Sequence, residues 1–320
     1  MNDGARRRRK FVVKAGLSAA VLGAVVWWIG PQKLGPALAA LTPAAFAATL
    51  AVFLCIHTAA AFKWRAFMSL AGAPLPSGMT LRAYGAGLFA NLFLPSMIGG
   101  DVVRAGIAMQ GARRKEAVVL GSLVDRLSDF AALALLALGG IAALPQAMAD
   151  GGGSAELGRR ILGWFAALCV GGVLALAIGL RLRPPSRWPT KARGLLLRSL
   201  LALRRAGRRK IAATTAVLVA VALQAALLLV NAELGRAMGL DATLPVWFVC
   251  WPLAKIAAML PLSLAGLGVR EAAFAALGSR FGIAPALATA VSLAWQGVLF
   301  SGGLVGGAGY AASRRTAESR

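Results

Sequence analysis

The sequence predicts an all-α, polytopic integral membrane protein with about six full transmembrane helices and two opposed re-entrant hairpins related as inverted repeats. Three observations lead there. Of the 320 residues, 59% are hydrophobic and only 14% are charged, against roughly a quarter charged in soluble domains. Most lysines and arginines fall in the gaps between apolar runs, as the positive-inside rule expects of cytoplasmic loops. Finally, two distant apolar stretches are interrupted in the same way. Asn91 to Arg104 reads N-L-F-L-P-S-M-I-G-G-D-V-V-R, and Leu260 to Glu271 reads L-P-L-S-L-A-G-L-G-V-R-E. In each, a Leu-Pro opens the motif, a glycine stands five residues after the proline and an arginine nine after it.

In chain order, residues 1–10 form a basic tail containing Arg6 to Arg9 and Lys10. An apolar run at 12–30 follows, longer than a usual signal core, and reads as an uncleaved anchor with its N-terminus inside. The second span covers 44–62 and ends at Lys63-Trp64-Arg65. The first broken segment, 83–100, is apolar, but Pro95 lacks a backbone donor and each of Gly99 and Gly100 costs a helix about 1 kcal/mol. A basic loop with Arg113, Arg114 and Lys115 leads to a span at 118–141 that carries Asp125, Arg126 and Asp129.

A glycine-rich loop near 150–156 precedes a span at 161–180, and residues 181–210 are strongly basic. Leu196, Leu200 and Leu203 recur there at helical spacing between arginines. The segment 186–210 thus reads either as an interfacial helix on anionic headgroups or as an ordinary cytoplasmic loop helix. A span at 211–231, the second broken segment at 245–283 and a last span at 285–311 complete the transmembrane domain, taken as 11–312, with a tail at 313–320. The overlapping pairs Gly302/Gly306 and Gly303/Gly307 read as close helix packing.

Loop charge sets the orientation. If neither broken segment crosses, the inside loops hold 27 Lys and Arg and the outside loops 6, with Arg126 and Lys255 within apolar segments. Both termini are then cytoplasmic, and the two hairpins enter from opposite sides. Two broken segments in matching places of two halves point to a binding site between inverted repeats.

A broken helix in a bilayer exposes backbone N–H groups that need partners, and half-helix N-termini suit phosphate. Arg104 and Arg270 would add planar forks that hold phosphate bidentately. The alternative is that Asp101–Arg104 and Arg270–Glu271 are interface ion pairs and the glycines serve packing. Charges at membrane depth line cavities and mark pathways. Ser122, Asp125 and Asp129 share one helix face, and Arg126 can reach Asp129 at i+3. Two acids one turn apart repel, so one of them could hold a proton; the alternative is a buried ion cluster that fixes register.

Several classes are excluded or not expected. The net charge of +24 is loop charge and implies no nucleic acid. No P-loop sequence occurs, and the single histidine, His57, allows no His-pair metal motif. His57 reads as a satisfied polar residue near a helix end. Cys55, Cys169 and Cys250 lie far apart in apolar runs and read as buried packing residues. Tryptophans 27, 28, 64, 164, 247 and 251 lie mostly near span ends and read as interface anchors. No metal or cofactor is expected.

The paired motifs, with S-L-V-D-R-L between them, resemble the flippase-like transmembrane domain of the lysylphosphatidylglycerol synthase family. The resemblance covers about 11–312. It implies a multi-pass protein of the bacterial inner membrane that moves a lipid, or a lipid-linked group, between leaflets. Family motif positions fall on Asn91, Pro95, Gly99, Gly100, Asp101 and Arg104, on Asp125 and Arg126, and on Pro261, Ser263, Gly266, Gly268, Arg270 and Glu271. With Asp129 added and Pro261 left out, these are the expected substrate-binding residues; no catalytic or metal-ligating residue is expected. Gln296 stands where many relatives carry a basic residue. No synthase domain follows residue 320, so lysylphosphatidylglycerol synthesis is not expected. The expected partners are membrane lipids with anionic headgroups, with a homo-oligomer or a lipid-biosynthesis enzyme as further possibilities. The rival readings are an integral-membrane enzyme on a lipid-linked substrate and an accessory protein of a lipid pathway.

Overall fold

The computed structural model describes residues 23–24, 26–27, 30–94, 99–144, 210–258 and 266–318. Among these the backbone forms nine helices and no strand: α1 (Pro31–Ala39), α2 (Pro43–Ala71), α3 (Ser77–Ala90), α4 (Gly99–Gly111), α5 (Lys115–Ala142), α6 (Lys210–Ala237), α7 (Leu244–Ala258), α8 (Val269–Ser279) and α9 (Pro285–Glu318). Three stretches are long and apolar enough to cross a membrane: Pro43–Ala71, Thr214–Ala237 and Pro285–Ser313. They overlie the spans predicted at 44–62, 211–231 and 285–311. The span predicted at 118–141 falls within α5. The span at 161–180, the loop at 150–156, the segment 186–210 and most of 12–30 lie outside the described residues.

Local chemistry explains the limits of α2. Thr42 accepts a hydrogen bond from the Ala45 N–H (3.2 Å), and Pro43 occupies the first turn, where a missing N–H is no loss. Gly72, at φ 94°, ends the helix in the left-handed conformation that glycine adopts without strain. The helix runs on through Lys63, Trp64 and Arg65, where a cytoplasmic loop was expected. Lys63 is buried there, and carboxylates from α5 make that burial tolerable.

Two pairs of consecutive helices, α3 with α4 and α7 with α8, pack against each other as helical hairpins. The first is larger than the segment expected at 83–100. It starts at Ser77, and α4 continues to Gly111, so Asp101 and Arg104 belong to a helix and not to a loop. The second, Leu244 to Ser279, lies within the predicted 245–283 apart from its first residue. The segments holding Pro95, Pro261 and Ser263 lie outside the described residues. Both hairpins lean on α5 and α9, through α4 and α7 on the first and through α3 and α8 on the second.

Each hairpin has its own apolar core. Trp64, Met68, Leu75 and Val118 pack under the first. Trp247, Trp251, Phe274 and Trp295 pack in the second, with Trp251 edge-on to Phe274 (5.2 Å) and to Trp295 (6.1 Å), a favoured aromatic geometry. Trp64, Trp247 and Trp251 are therefore core residues and not interface anchors, whereas Trp27 is exposed. The α9 glycines serve close packing. A Cβ on Gly306 would come within 2.8 Å of the Gly85 carbonyl oxygen, and Gly303 and Gly307 face Leu92 and Phe89 of the first hairpin.

On α5, Val119, Leu123 and Leu127 recur every fourth residue and are exposed, while Asp125, Ser128 and Ala132 are buried. Apolar out and polar in is the pattern of a chain whose solvent is lipid. Cys250 is buried as expected, but Cys55 is exposed on the apolar outer side of α2; Cys169 lies outside the described residues. Lys63, Arg104 and Arg270, counted above as loop cations, are buried, and removing them leaves the inside bias in place.

Candidate functional site

The burial of Asp125 on α5 requires cations, and two neighbouring helices supply them. Lys63 of α2 lies 2.9 Å from Asp125 and 2.5 Å from Asp129. Arg104 of α4 donates to Asp125 from Nη2 (2.8 Å) and lies 3.1 Å from Asp101. Arg126 donates to Asp101 through Nε (2.7 Å) and also through Nη2. Spacing along α5 suggested an Arg126–Asp129 pair; instead Arg126 reaches across to α4 and Lys63 holds Asp129. Lys63 thus bridges the two acids and offsets their mutual repulsion. Removing Lys63 would take the ion-pair partner from Asp129, and stranding a buried charge costs several times what an exposed pair contributes.

Tertiary packing fixes these side chains. Trp64 Nε1 donates to Ser122 Oγ (3.2 Å), and the Arg104 guanidinium lies over the rings of Trp64 (5.0 Å) and Tyr84 (5.4 Å). His57 Nδ1 meets the Tyr84 hydroxyl at 3.2 Å; it is partnered, but it lies in the middle of α2 and not near a helix end. At the start of α4, the Asn91 carboxamide oxygen accepts from the Gly100 N–H (2.8 Å), satisfying a donor the helix leaves open. A Cβ at Gly100 would strike that carboxamide, and one at Gly99 would strike Leu94.

The start of α8 is built differently. Gly266 (φ 77°) and Gly268 (φ 84°) both hold left-handed backbone, and a Cβ on Gly266 would come within 2.7 Å of the Ala258 Cβ. Glu271 folds back to accept the Gly268 N–H (2.6 Å) and also takes Arg270 Nη2 (2.7 Å) and the Ser292 hydroxyl (3.0 Å). Arg270 donates further to Ser292 Oγ (3.0 Å), the Ser292 carbonyl oxygen (3.0 Å) and Gln296 Oε1 (2.9 Å), with Trp251 at 5.6 Å. This helix N-terminus, considered above as a phosphate seat, is capped by a carboxylate of its own chain. Gln296 finds its role as an acceptor for Arg270.

A cavity of about 180 Å³ lies between the hairpins, where roughly 10–15 Å³ suffices for one water. Asn91, Gly100, Asp101 and Arg104 reach it from the first hairpin, and Trp251, Lys255 and Arg270 from the second. Arg126 and Asp129 of α5, Lys63 and His57 of α2, Gln224 of α6 and Gln296 of α9 complete its polar wall. Of the expected site residues, Asp125 and Glu271 stand behind the wall, paired to cations that line it, and Gly99 precedes Gly100 at the start of α4. Gly266 and Gly268 shape the turn into α8. Pro95 and Ser263 lie outside the described residues.

Sequence reasoning missed Lys63, Gln224, Tyr84 and Lys255. Lys255 carried a usable signal, since a cation inside an apolar run is a functional candidate by default. Lys63 was hidden by its place at the apparent end of a span. Among the described residues, five cations (Lys63, Arg104, Arg126, Lys255, Arg270) thus line the cavity, against four carboxylates on or behind its wall (Asp101, Asp125, Asp129, Glu271). Among the described residues, no group of three or more His, Cys, Asp or Glu is placed to hold a metal ion.

Apolar outer faces, helices of spanning length and charges turned inward define a helical membrane protein with a polar interior cavity. The family model described as lysylphosphatidylglycerol synthase TM region matches residues 12–307, and the chain belongs to that family. Its function is accordingly membrane-lipid related. Among curated proteins, none matches the chain.

Proposed function

We propose that this protein is a lipid translocase, which moves a phospholipid or a lipid-linked phosphate headgroup between the leaflets of the bacterial inner membrane. The observation that carries this reading is the buried, charged cavity to which both helical hairpins contribute. A headgroup crossing bare hydrocarbon loses its hydration at great cost; a polar cavity replaces that hydration while the acyl or prenyl chains stay in lipid. The hairpins enter from opposite faces as inverted repeats, with both termini cytoplasmic. Rocking one hairpin against the other opens the cavity to each leaflet in turn. Asp101, shared by Arg104 and Arg126, is the exchangeable member of the network: a headgroup phosphate can take its place on Arg104. The membrane lipids themselves are the partners this mechanism needs.

The test is leaflet exchange. Full-length protein in vesicles that carry a fluorescent phospholipid should move label from the inner to the outer leaflet faster than protein-free vesicles. Arg104→Ala should abolish the excess rate. An exchange rate equal to that of empty vesicles across several lipid classes would rule out transport and leave the enzyme and accessory readings.

A further inference from the structure

We infer that His57 and Tyr84 latch a side gate between the interior cavity and a groove formed by α2, α3 and α9, and that this groove holds a hydrocarbon chain of the lipid whose headgroup passes the gate. The inference deepens the translocase reading and rests on it for the passage of the headgroup. Two voids meet at one wall. The cavity between the hairpins and a second void of about 400 Å³ share His57, Tyr84 and Leu88 in their linings. Their neighbours on α2 divide, Phe53 to the cavity and Leu54 and Thr58 to the groove. None of the three wall residues is fully buried. His57 Nδ1 meets the Tyr84 hydroxyl at 3.2 Å, and among the described residues no other hydrogen bond joins α2 to α3. One net hydrogen bond is weak enough to open and close thermally.

Depth and chemistry name the occupant. The groove runs from His57, in the middle of the Pro43–Ala71 span, to Ser313, where the Pro285–Ser313 span ends. Leu81 and Val305 of its lining are 42% and 49% exposed, and at this depth the surrounding medium is hydrocarbon. Gly85 meets Gly306 and Leu92 meets Gly303, so α3 runs antiparallel to α9. Arg82 of the lining therefore lies toward the Ser313 end, where long cations reach headgroups. A headgroup inside the cavity has to leave its chains in lipid. The shared wall is where the cavity adjoins a membrane-facing void, so headgroup and chain stay connected across it.

The test uses the full chain in vesicles of phosphatidylcholine and phosphatidylglycerol that carry a phospholipid with a diazirine near the headgroup end of one acyl chain. Photolabelled residues are read by peptide mass spectrometry. In the wild type, the groove should be labelled above the exposed face of α5 at Val119, Leu123 and Leu127. Gly78 and Gly309 line the groove, and a Cβ at either meets no atom within 4 Å. Gly78→Trp or Gly309→Trp should therefore fold and bring groove labelling down to the α5 level. Tyr84→Phe and His57→Leu each remove the latch. Adducts at Leu223 and Leu227, which line the cavity and not the groove, should then rise about fivefold, the population change that one net hydrogen bond produces. His57→Asn keeps a hydrogen-bonding atom at the place of Nδ1 and should stay at the wild-type level, unlike a ring needed only for packing. If His57→Leu fails to fold, Tyr84→Phe decides alone. Groove labelling no higher than that of α5 overturns the inference, the result expected if a helix of this chain or a second copy fills the groove. So do tryptophan variants that both leave the labelling unchanged, latch variants that leave the cavity adducts unchanged, or a His57→Asn that raises them. Leaflet exchange is run on the same preparations: labelling as expected without exchange retires the translocase reading and leaves the gated groove standing.

Discussion

Arg104 and Arg270 hold equivalent places in the two hairpins, nine residues after a Leu-Pro, and both are buried against a tryptophan. Their surroundings differ. Arg270 is bonded to its own neighbour Glu271 and to α9, with Nε and Nη2 both taken. Arg104 draws on α5 and leaves Nε unpartnered. The same contrast holds at the helix starts, where α8 is capped by its own Glu271 and α4 by Asn91 from the preceding turn. At its arginine the second hairpin closes the ion pair on itself, Arg270 with Glu271. The first shares its charges with α2 and α5, so its network can be redistributed around a ligand. One motif, used twice, thus yields one structural ion pair and one adaptable one.

The contrast can be broken most sharply at the two arginines. Arg270→Met strands the fully buried Glu271 and should cost about 3–5 kcal/mol, read as a large fall in the thermal midpoint in detergent. Arg104→Met should cost only about 1–3 kcal/mol, because Lys63 still neutralises Asp125 and Arg126 still holds Asp101, yet it should eliminate leaflet exchange. Equal destabilisation by the two substitutions would remove the distinction.

Gly306→Leu probes the support of the first hairpin. Its side chain would be driven against the Gly85 backbone, an overpacking that costs about 1–3 kcal/mol, and chemical unfolding in mixed detergent measures it. The smallest effect belongs to Asn91→Ala. It removes the borrowed cap of α4 and should cost about 1 kcal/mol, with faster hydrogen exchange confined to the first turn after Gly99. Protection lost equally in α8 would indicate that the two hairpins are coupled and not independently built.

Much of this was legible in the chain. Composition and loop charge gave a helical membrane protein, the repeated Leu-Pro-glycine-arginine interval located both hairpins, and the acids on α5 marked the interior. What stayed hidden depends on contacts between distant segments. Lys63 looked like a loop cation because a hydropathy window ends where charge begins, and only packing against Asp125 and Asp129 lets α2 carry it inward. Arg126 had a partner in reach along its own helix, but another helix offered a better one. The tryptophans near span ends resembled anchors until their rings were found against Phe274, Trp295 and the buried arginines.

The sequence by itself determined the solvent, the helical class and the family, because hydropathy, loop charge and a spaced motif are properties of the chain read in one dimension. The tertiary structure decided which charges are spent on one another and which is left over. Ion pairing depends on distances of a few ångströms between segments up to 66 residues apart, and no local pattern encodes them.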